Sequence, residues 1–380
     1  MLTIANGLKP HLVKVYLAFS SELTRHLIRG RSGARDFKRV VVVAALSKND
    51  GLASGARLQF KALQQLGVEA ELLDATPALR DPRFRLEHES GSAYIFHCGG
   101  PQTASLISSV LPHVTDAYRV AYWAWELPDP PADWAGCDRI VSEIWTPSTF
   151  SRDSLARLTQ RPVFVVPHHI PAGRVHVRDP AGPFTVLVMA DSRSSLCRKN
   201  PEGALRAFRM AFGDSPAARL ILKLGGRPDA WHPLEKSAGD LLAGRNIEIV
   251  KGFLDEAAMA ALYLRCDVLL SLHRAEGFGL PMLEAMADGI PVVATGWSGN
   301  LDFMSSADSR LVPYELVAVN DTSGIYGNSS WAEPELEQAA LFLRRLAYEP
   351  DHYAQIATSA RRRISNTTPD FPFASADLAR

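Results

Sequence analysis

Short, uninterrupted apolar segments recur along this chain, each followed by a stretch with helical spacing, and they form two series separated by a gap. Strands that are apolar throughout have both faces buried, which is typical of parallel sheets covered by helices. The sequence therefore predicts two doubly wound α/β domains. The expected strands are 41–46, 69–74, 93–97, 119–125, 143–147 and 163–167 in the first series, and 184–190, 219–224, 247–250, 267–272, 291–295 and 310–314 in the second.

The gap between the series is the segment PAGRVHVRDPAGP (171–183), in which three prolines and two glycines interrupt every periodic pattern. A linker here predicts one domain over residues 1–172 and another over residues 183–350, and a chain of 380 residues is long enough for both. A helical stretch at 332–348 follows the last expected strand. The final helix and tail, about 351–380, are expected to cross back onto the first domain.

The overall charge is balanced, with 41 Lys and Arg against 41 Asp and Glu, which argues against a nucleic-acid partner. The four cysteines form no Cys-x-x-Cys pair, so neither a zinc site nor a disulfide framework is expected, and a cytoplasmic setting is favoured. Residues 1–40 nevertheless hold eight Lys and Arg against two acidic residues. Apolar positions recur between Leu12 and Ile28, so this segment is either a docked amphipathic helix or a peripheral contact with the inner membrane face.

The turn after the first expected strand, SKNDGLASGARLQF (47–60), places glycines at the start of a helix. Gly51, Ser54 and Gly55 allow close backbone approach, and the amides of a helix start favour an anion such as phosphate. The alternative is an ordinary strand-to-helix turn, which also needs glycine. The segment matches neither Gly-x-Gly-x-x-Gly nor a Walker motif, which argues against a dinucleotide dehydrogenase or a kinase-type ATPase.

A second motif, ADSRSSLCRKNPEGALRAF (190–208), follows the first strand of the second series. Arg193, Arg198 and Lys199 precede a helix that Asn200 can cap and Pro201 can open. Cations and helix-start amides at one place suit a diphosphate. A solvated basic loop is the alternative.

The third motif is HRAEGFGLPMLEAMADGIPVVATGWSGN (273–300). Glu276 lies on a loop and Glu284 on the following helix, which Asp288 and Gly289 should end. Carboxylates accept hydrogen bonds from sugar hydroxyls, and backbone amides donate to sugar or phosphate oxygens. The alternative is that Glu284 only complements the helix dipole and Glu276 is solvated. The backbone between the two glutamates is that of Gly277, Phe278, Gly279 and Leu280.

With these motifs the chain resembles the retaining GT-B glycosyltransferases of the family 4 class. The resemblance rests on the Glu-x7-Glu pattern in EGFGLPMLE, on AMADGIPVVAT, on RKNP and on the KGFLDE turn. AYWAWELPDPP and SEIWTPSTFS (121–151) and SWAEPE (330–335) are similar to the branch associated with bacterial polysaccharide and lipopolysaccharide assembly. The resemblance implies the GT-B fold, in which two Rossmann-like domains face each other across a cleft.

The resemblance also implies roles for the candidate residues. Glu276 would contact the donor sugar, and Glu284 would hold the nucleotide ribose. Lys199, with Arg193 or Arg198, would hold the diphosphate and stabilise its charge as the glycosidic bond breaks. The base would lie near Gly225, Gly226, Phe253 and Leu254, and Gly51 to Gly55 would close on the phosphates from the opposite domain. The sequence has no Asp-x-Asp, and neither a metal nor another cofactor is expected.

Acceptor contacts are predicted on the first domain. Many relatives carry a histidine where this chain has YWAWEL, so Trp125 or Glu126 is a candidate there, and burial in the strand core is the alternative for Trp125. His97 is a further candidate because it ends an expected strand. Lys223 is unusual in an apolar strand and is expected near the donor pyrophosphate.

Together these features predict retaining transfer of a hexose from a nucleoside-diphosphate sugar to a hydroxyl of a glycan or lipid-linked acceptor in cell-surface polysaccharide synthesis. The hexose is expected to be mannose-like, as in GDP-mannose, or glucose-like, and the reaction to use front-face attack. Two alternatives are a non-catalytic sugar-nucleotide-binding partner of a glycan assembly complex and a GT-B-fold epimerase or phosphorylase.

Overall fold

A computed structural model describes residues 15, 19, 22–24, 26–28, 39–81, 83–91, 93–226, 231–321 and 326–372. The chain divides into two compact units. The first unit comprises Met1–His169 with Thr368–Arg380, and the second comprises Ile170–Thr367. Each unit is built around a six-stranded sheet.

The sheet of the first unit is parallel throughout, with the strand order β2-β1-β3-β4-β5-β6. The central strands β1, β3 and β4 are buried at every residue, as their uninterrupted apolar sequences require. The strands are β1 (Val40–Ala44), β2 (Ala70–Asp74), β3 (Ala93–His97), β4 (Tyr118–Tyr122), β5 (Glu143–Thr146) and β6 (Val163–Val165), and the helices include α1 (Gly51–Gln65), α2 (Thr103–Ser109) and α3 (Thr149–Leu155).

The second unit repeats this architecture with the strand order β12-β11-β10-β7-β8-β9, again parallel. Its strands are β7 (Phe184–Asp191), β8 (Ala218–Gly225), β9 (Ile247–Lys251), β10 (Val268–Ser271), β11 (Val292–Thr295) and β12 (Arg310–Val312). Its helices include α4 (Leu196–Lys199), α5 (Pro201–Phe212), α6 (His232–Leu242), α7 (Glu256–Leu264), α8 (Leu280–Ala287), α9 (Leu336–Tyr348) and α10 (Pro350–Ser365). The two sheets confirm the predicted doubly wound α/β class, and all twelve expected strands are present.

An antiparallel pair of strands, β13 (Tyr314–Ala318) and β14 (Ser330–Pro334), was not predicted. We call this pair the hairpin. The sequence predicts a helix from residue 332, but β14 continues to Pro334 and α9 begins only at Leu336. Proline disfavours helical geometry in the residue before it, so Glu333 stays extended and the helix starts later.

The last helix differs from its prediction. The sequence places it on the first domain, whereas α10 packs in the second unit, where Ile356, Ala360 and Ile364 are buried in its core. The apolar face of this amphipathic helix is therefore covered by the second unit. The chain returns to the first unit after it, from Thr368 onward, and Phe371 packs against Trp145 with ring centroids 5.8 Å apart.

The predicted linker also packs against the second unit, so the division between the units falls before it, after His169. The Gly173 amide donates to the Ala287 carbonyl at 3.1 Å, and the His176 amide donates to the Asp288 carbonyl at 2.9 Å. A side chain at Gly173 would clash with Asp288, because the backbone runs directly along the end of α8.

Stacked rings fill the space beneath α1 in the first unit. His97 at the end of β3 stacks on Tyr122 at 4.2 Å, and the Tyr122 ring lies 5.4 Å from that of His168. Burial lowers the pKa of His168 to about 4, so this ring is neutral near neutral pH. A Cβ at Gly55 would clash with His168, whereas one at Gly51 would meet no atom within 4 Å.

These two glycines give a matched test of the packing. We expect Gly55→Ala to lower the free energy of unfolding by about 1–3 kcal/mol, because the His168 ring must move to admit the new methyl group. Gly51→Ala changes the same atoms at the open start of the same helix, so its effect should stay within about 0.5 kcal/mol. Urea denaturation of both variants measures the difference, and equal effects would contradict this account of Gly55.

Candidate functional site

Two loops at the carboxyl end of the second sheet carry the charged residues of the site. One loop follows β7 and the other follows β10, and these two strands are neighbours in the sheet. Loops after adjacent parallel strands meet at one edge, which is where open α/β sheets bind ligands.

The loop after β7 contains the short helix α4, which ends with Arg198 and Lys199. The Ser195 hydroxyl caps its start by accepting from the Arg198 amide at 3.1 Å. Asn200 then adopts left-handed backbone geometry, with a φ of 50°, and its side chain accepts from the Gly203 amide at 3.1 Å. This confirms the predicted Asn200 cap and shows how the chain turns so that both cations lie together.

Glu276 lies between these two cations. The Lys199 ammonium donates to Oε1 of Glu276, and Nη1 of Arg198 lies 3.2 Å from Oε2. Glu276 is 7% exposed and Arg198 3% exposed, so both charges are buried. Burial by itself raises the pKa of Glu276, but Lys199 and Arg198 outweigh it and lower the pKa to about 2. The alternatives of a solvated Glu276 and of a solvated basic loop at Arg198 are therefore wrong.

The WSGN segment that ends the third motif holds the Glu276 loop in place. The Glu276 amide donates to the Ser298 hydroxyl at 2.9 Å, and the Gly299 amide donates to the Glu276 carbonyl at 2.9 Å. A side chain at Gly299 would clash with the backbone of Gly277. Sequence analysis assigned no role to Ser298 or Gly299, although they stand at the end of the same motif.

Glu284 lies in the second turn of α8, so it does not merely complement the start of the helix. Its Oε2 accepts a hydrogen bond from the Tyr263 hydroxyl at 2.7 Å. Burial raises the pKa of Glu284 to about 7; the Tyr263 hydrogen bond opposes this shift, while Asp288 and Glu256 add to it. Sequence analysis missed Tyr263, whose hydroxyl on the buried side of α7 was the signal that a polar partner must be near.

The side chains of the segment between the two glutamates pack inside the second unit. Gly279 has a φ of 105°, and a side chain there would clash with Met282. The Phe278 ring packs on Phe303 with centroids 4.9 Å apart. Leu280 packs against the same core, so Gly277 to Leu280 present mainly backbone. Helix α8 ends at Ala287, and Gly289 follows with a φ of 76°, which confirms the predicted stop.

Arg193 does not join the Glu276 cluster. Its guanidinium donates to the Asp191 carboxylate, with Nη2 at 2.6 Å from Oδ2 and Nε at 3.0 Å from Oδ1. Burial raises the pKa of Asp191, but the hydrogen bonds from Arg193 outweigh this and lower it. Of the two arginines that the sequence left open, the structure brings Arg198 to Lys199 and Glu276.

The residues predicted to lie near the nucleotide base, Gly225, Gly226, Phe253 and Leu254, have different environments in the structure. A side chain at Gly225 would meet Asp191, and Gly226, with a φ of 88°, lies against Ser192, so both positions require glycine. Lys223 donates to the Gly252 carbonyl at 2.6 Å, and burial lowers its pKa. The Lys223 ammonium, which was predicted to lie near a pyrophosphate, is thus bonded to the KGFLDE turn. In that turn Phe253 is 66% exposed, and Leu254 packs against the core.

The helix start predicted to bind phosphate in the first unit already carries an acidic residue. The Asp50 carboxylate caps α1 by accepting from the Ala53 amide at 3.0 Å, and the Ser54 amide donates to the Asp50 carbonyl at 2.9 Å. A negative side chain at this end opposes a second anion. Gly55 faces His168, as described above, so its missing side chain serves packing within the unit.

The three candidates for acceptor contacts are also placed by the structure. His97 is 2% exposed and bonds Gln59 of α1 through Nε2, so its side chain is enclosed within the first unit. Trp125 is buried, and its Nε1 donates to the Asp129 carbonyl at 2.8 Å, which agrees with the core alternative. It lies just beyond β4, which ends at Tyr122. Glu126 is partly exposed.

Among the described residues, no group of three His, Cys, Asp or Glu side chains is arranged to hold a metal ion. In the same part of the chain, no helix combines the length and the apolar character that crossing a membrane requires.

The charge cluster makes a prediction about stability. We expect Glu276→Gln to lower the free energy of unfolding at pH 7 by about 3 kcal/mol, because it leaves the buried Arg198 and the partly buried Lys199 without their anion. The lowered pKa means that this contribution is present above pH 4.5 and is lost as the pH falls through about 2. The stability of Glu276→Gln should therefore depend less on pH in that range.

Chemical denaturation at several pH values measures both effects. Glu349→Gln is the control, since Glu349 pairs with Arg345 on an exposed helix surface and its loss should change stability by less than about 0.5 kcal/mol. If the two variants behaved alike, Glu276 would not hold the cluster together.

Comparison with known proteins agrees with the fold. Residues 188–314 match the family model described as Glycosyl transferases group 1, a range that includes Arg198, Lys199, Glu276 and Glu284. No curated protein matches the chain.

Solved structures with a similar fold include Alr3699/HepE from Anabaena in complex with UDP and glucose, at 14% identity and a TM-score of 0.62 over 86% of this chain and 95% of that one. Sucrose-phosphate synthase from Thermosynechococcus elongatus aligns at 14% identity and a TM-score of 0.63, over 86% and 94% of the two chains. WaaG, a glycosyltransferase involved in lipopolysaccharide biosynthesis, aligns at 13% identity and a TM-score of 0.55, over 86% and 95%. The second unit thus carries a glycosyl transferases group 1 domain, and the chain is a glycosyltransferase with the GT-B fold.

Proposed function

We propose that this glycosyltransferase transfers a hexose, with retention of anomeric configuration, from a nucleoside-diphosphate sugar to a hydroxyl of a glycan or lipid-linked acceptor in cell-surface polysaccharide synthesis. The observation that carries the proposal is the pairing of Arg198 and Lys199 with Glu276, and a second carboxylate, Glu284, lies on the helix that follows the Glu276 loop. The UDP and glucose bound to HepE support a sugar-nucleotide donor, and the role of WaaG in lipopolysaccharide synthesis supports a surface-glycan acceptor.

In this proposal Arg198 and Lys199 bind the donor diphosphate. Arg198 is held by the Ala275 carbonyl, to which its Nη1 donates at 2.6 Å, so the guanidinium is fixed before the donor arrives. Lys199 has a flexible side chain and can turn from Glu276 to a phosphate oxygen. A diphosphate would then supply the negative charge that Glu276 now supplies to both cations. No metal is needed in this scheme, because the two cations neutralise the leaving group.

The two carboxylates bind the hydroxyls of the donor. Once Lys199 turns to the phosphate, Glu276 is free to accept hydrogen bonds from the hexose hydroxyls. Glu284 accepts from the ribose hydroxyls through the oxygen that Tyr263 does not occupy. The base lies against the backbone near Gly226 and the exposed Phe253. Both a glucose-like and a mannose-like hexose, the latter carried by GDP, remain within this proposal.

The transfer itself exchanges one bond to the anomeric carbon for another. The bond between that carbon and the leaving phosphate oxygen breaks, and its electron pair goes to the oxygen. The acceptor hydroxyl oxygen bonds to the anomeric carbon on the same face, and its proton goes to the leaving phosphate oxygen. Arg198 and Lys199 stabilise the charge that builds up on the diphosphate during this step.

We also propose that the first unit contacts the inner surface of the cytoplasmic membrane. Val15, Phe19, Leu23 and Leu27 are each about half exposed or more, whereas Ile28 beside them is buried. Eight Lys and Arg among residues 1–40 would add attraction to anionic lipids. An exposed apolar stripe with basic residues around it is the composition of a helix that lies on a membrane surface.

Turnover of a sugar nucleotide tests the active site. A screen of UDP-, GDP-, ADP- and dTDP-sugars by thermal shift selects the donor, because a bound ligand raises the unfolding temperature. With that donor we expect Lys199→Ala and Glu276→Ala each to lower kcat/KM about 100-fold or more. Arg206→Ala, which removes a surface cation from the next helix, is the control. Wild-type turnover in the first two variants would rule the proposal out.

The pH dependence of donor binding tests Glu284. Because its pKa is about 7, the carboxylate is largely protonated below that pH and accepts fewer hydrogen bonds from ribose. We expect the KM for the sugar nucleotide to fall as the pH rises from about 6 to about 8. In Glu284→Gln the KM should be higher and independent of pH over this range. A wild-type KM that stays constant would contradict the role of Glu284.

Vesicle co-sedimentation tests the membrane contact. We expect Phe19→Ser with Leu23→Ser to weaken binding to phosphatidylglycerol vesicles about tenfold, because two apolar side chains leave the lipid interface. Leu316→Ser removes an equally exposed leucine from the hairpin and serves as the control. Unchanged binding of the double variant would mean that residues 1–40 do not attach the protein to lipid.

A further inference from the structure

The hairpin contacts the site through Arg274, which sequence analysis did not assign. The Arg274 guanidinium forms a two-point ion pair with Glu333 of β14, with Nε 2.6 Å from Oε2 and Nη2 3.0 Å from Oε1. Its remaining Nη1 donates to the Cys197 carbonyl of α4 at 2.6 Å. The same guanidinium lies over the Trp331 ring, 5.6 Å from its centroid. Arg274 thus links the hairpin to the helix that carries the two cations.

Backbone hydrogen bonds extend this link. The Arg274 amide donates to the Arg198 carbonyl at 2.7 Å, and the Ala332 amide of β14 donates to the Arg274 carbonyl at 2.9 Å. At the other end of α4, the Ser195 hydroxyl donates to the Asp321 carboxylate at 2.6 Å, in the segment that follows β13. Helix α4 is therefore held at its start by Asp321, which lies between β13 and β14, and at its end by Arg274, which is itself bonded to β14.

Helix α4 has only four residues, and so short a helix does not hold its own geometry. The directions of Arg198 and Lys199 must therefore be fixed from outside the helix. Arg274 is suited to this because its planar guanidinium bonds the Glu333 carboxylate and the Cys197 carbonyl at once, which a lysine ammonium cannot reproduce.

We propose that Arg274 and Glu333 are positioning residues, which hold α4 so that Arg198 and Lys199 point at the leaving diphosphate. The inference rests on the proposed donor site. The hairpin then holds the basic loop in place. Glu333 acts on this loop indirectly, through Arg274 and the Cys197 carbonyl. Neither residue touches the donor in this scheme.

The test compares Arg274→Lys and Glu333→Gln with Glu315→Gln. Glu315 faces Glu333 across the hairpin, is exposed, and undergoes the same change of charge. We expect kcat/KM for the sugar nucleotide selected above to fall about tenfold in Arg274→Lys and in Glu333→Gln, mainly through kcat, and to stay within about twofold of wild type in Glu315→Gln. Thermal unfolding of each variant shows whether the fold is retained.

A double-mutant cycle separates positioning from a general loss of structure. If Arg274 acts through the basic loop, its replacement should cost little further activity once Lys199→Ala is present, because the residue that it positions is already gone. Full additivity of Arg274→Lys and Lys199→Ala would overturn the proposal, as would wild-type activity of Arg274→Lys alone. If Lys199→Ala itself had no effect, the proposed donor site would fail instead, so the two failures are distinguishable.

Discussion

A buried carboxylate between two cations, Glu276 with Arg198 and Lys199, is the interaction around which the second unit is arranged. Each of these charges would be costly to bury alone, and together they are tolerated only if their geometry is held closely. The surrounding structure meets this need from several directions. Asn200 turns the chain behind the cations, Ser298 holds the backbone of the Glu276 loop, and the hairpin contacts the end of α4 through Arg274.

The two glutamates, eight positions apart, have opposite electrostatic environments. Glu276 lies between two cations, which lower its pKa to about 2 despite burial. Glu284 has a neutral hydroxyl from Tyr263 and the negative charges of Asp288 and Glu256 nearby, so burial prevails and its pKa rises to about 7. One carboxylate is therefore ionised at neutral pH, whereas the other changes charge near that pH. Two identical side chains thus differ in charge because their surroundings differ.

Both units are doubly wound parallel sheets, but their strand orders differ and they use the carboxyl ends of their strands differently. In the second unit these ends carry the charged loops described above. In the first unit, strand β3 ends at His97, which is buried with Tyr122 beneath α1, and Trp125 beyond β4 is buried as well. The His97 imidazole bonds Gln59 of α1 through Nε2 inside the unit. The same α/β architecture thus provides a charged site in one unit and a packed aromatic layer in the other.

The sequence by itself determined the twelve parallel strands, the Asn200 cap and the end of α8 before Gly289. These features follow from local patterns, since strand burial, caps and turns are written in a few consecutive residues. Tertiary structure alone decided that Arg198, and not Arg193, joins Glu276, that Tyr263 bonds Glu284, and that α10 stays with the second unit. It also decided that His97 and Gly55 pack inside the first unit. The direction of a side chain depends on segments far away in sequence, such as Glu333 beside Arg274, and no local pattern contains that information.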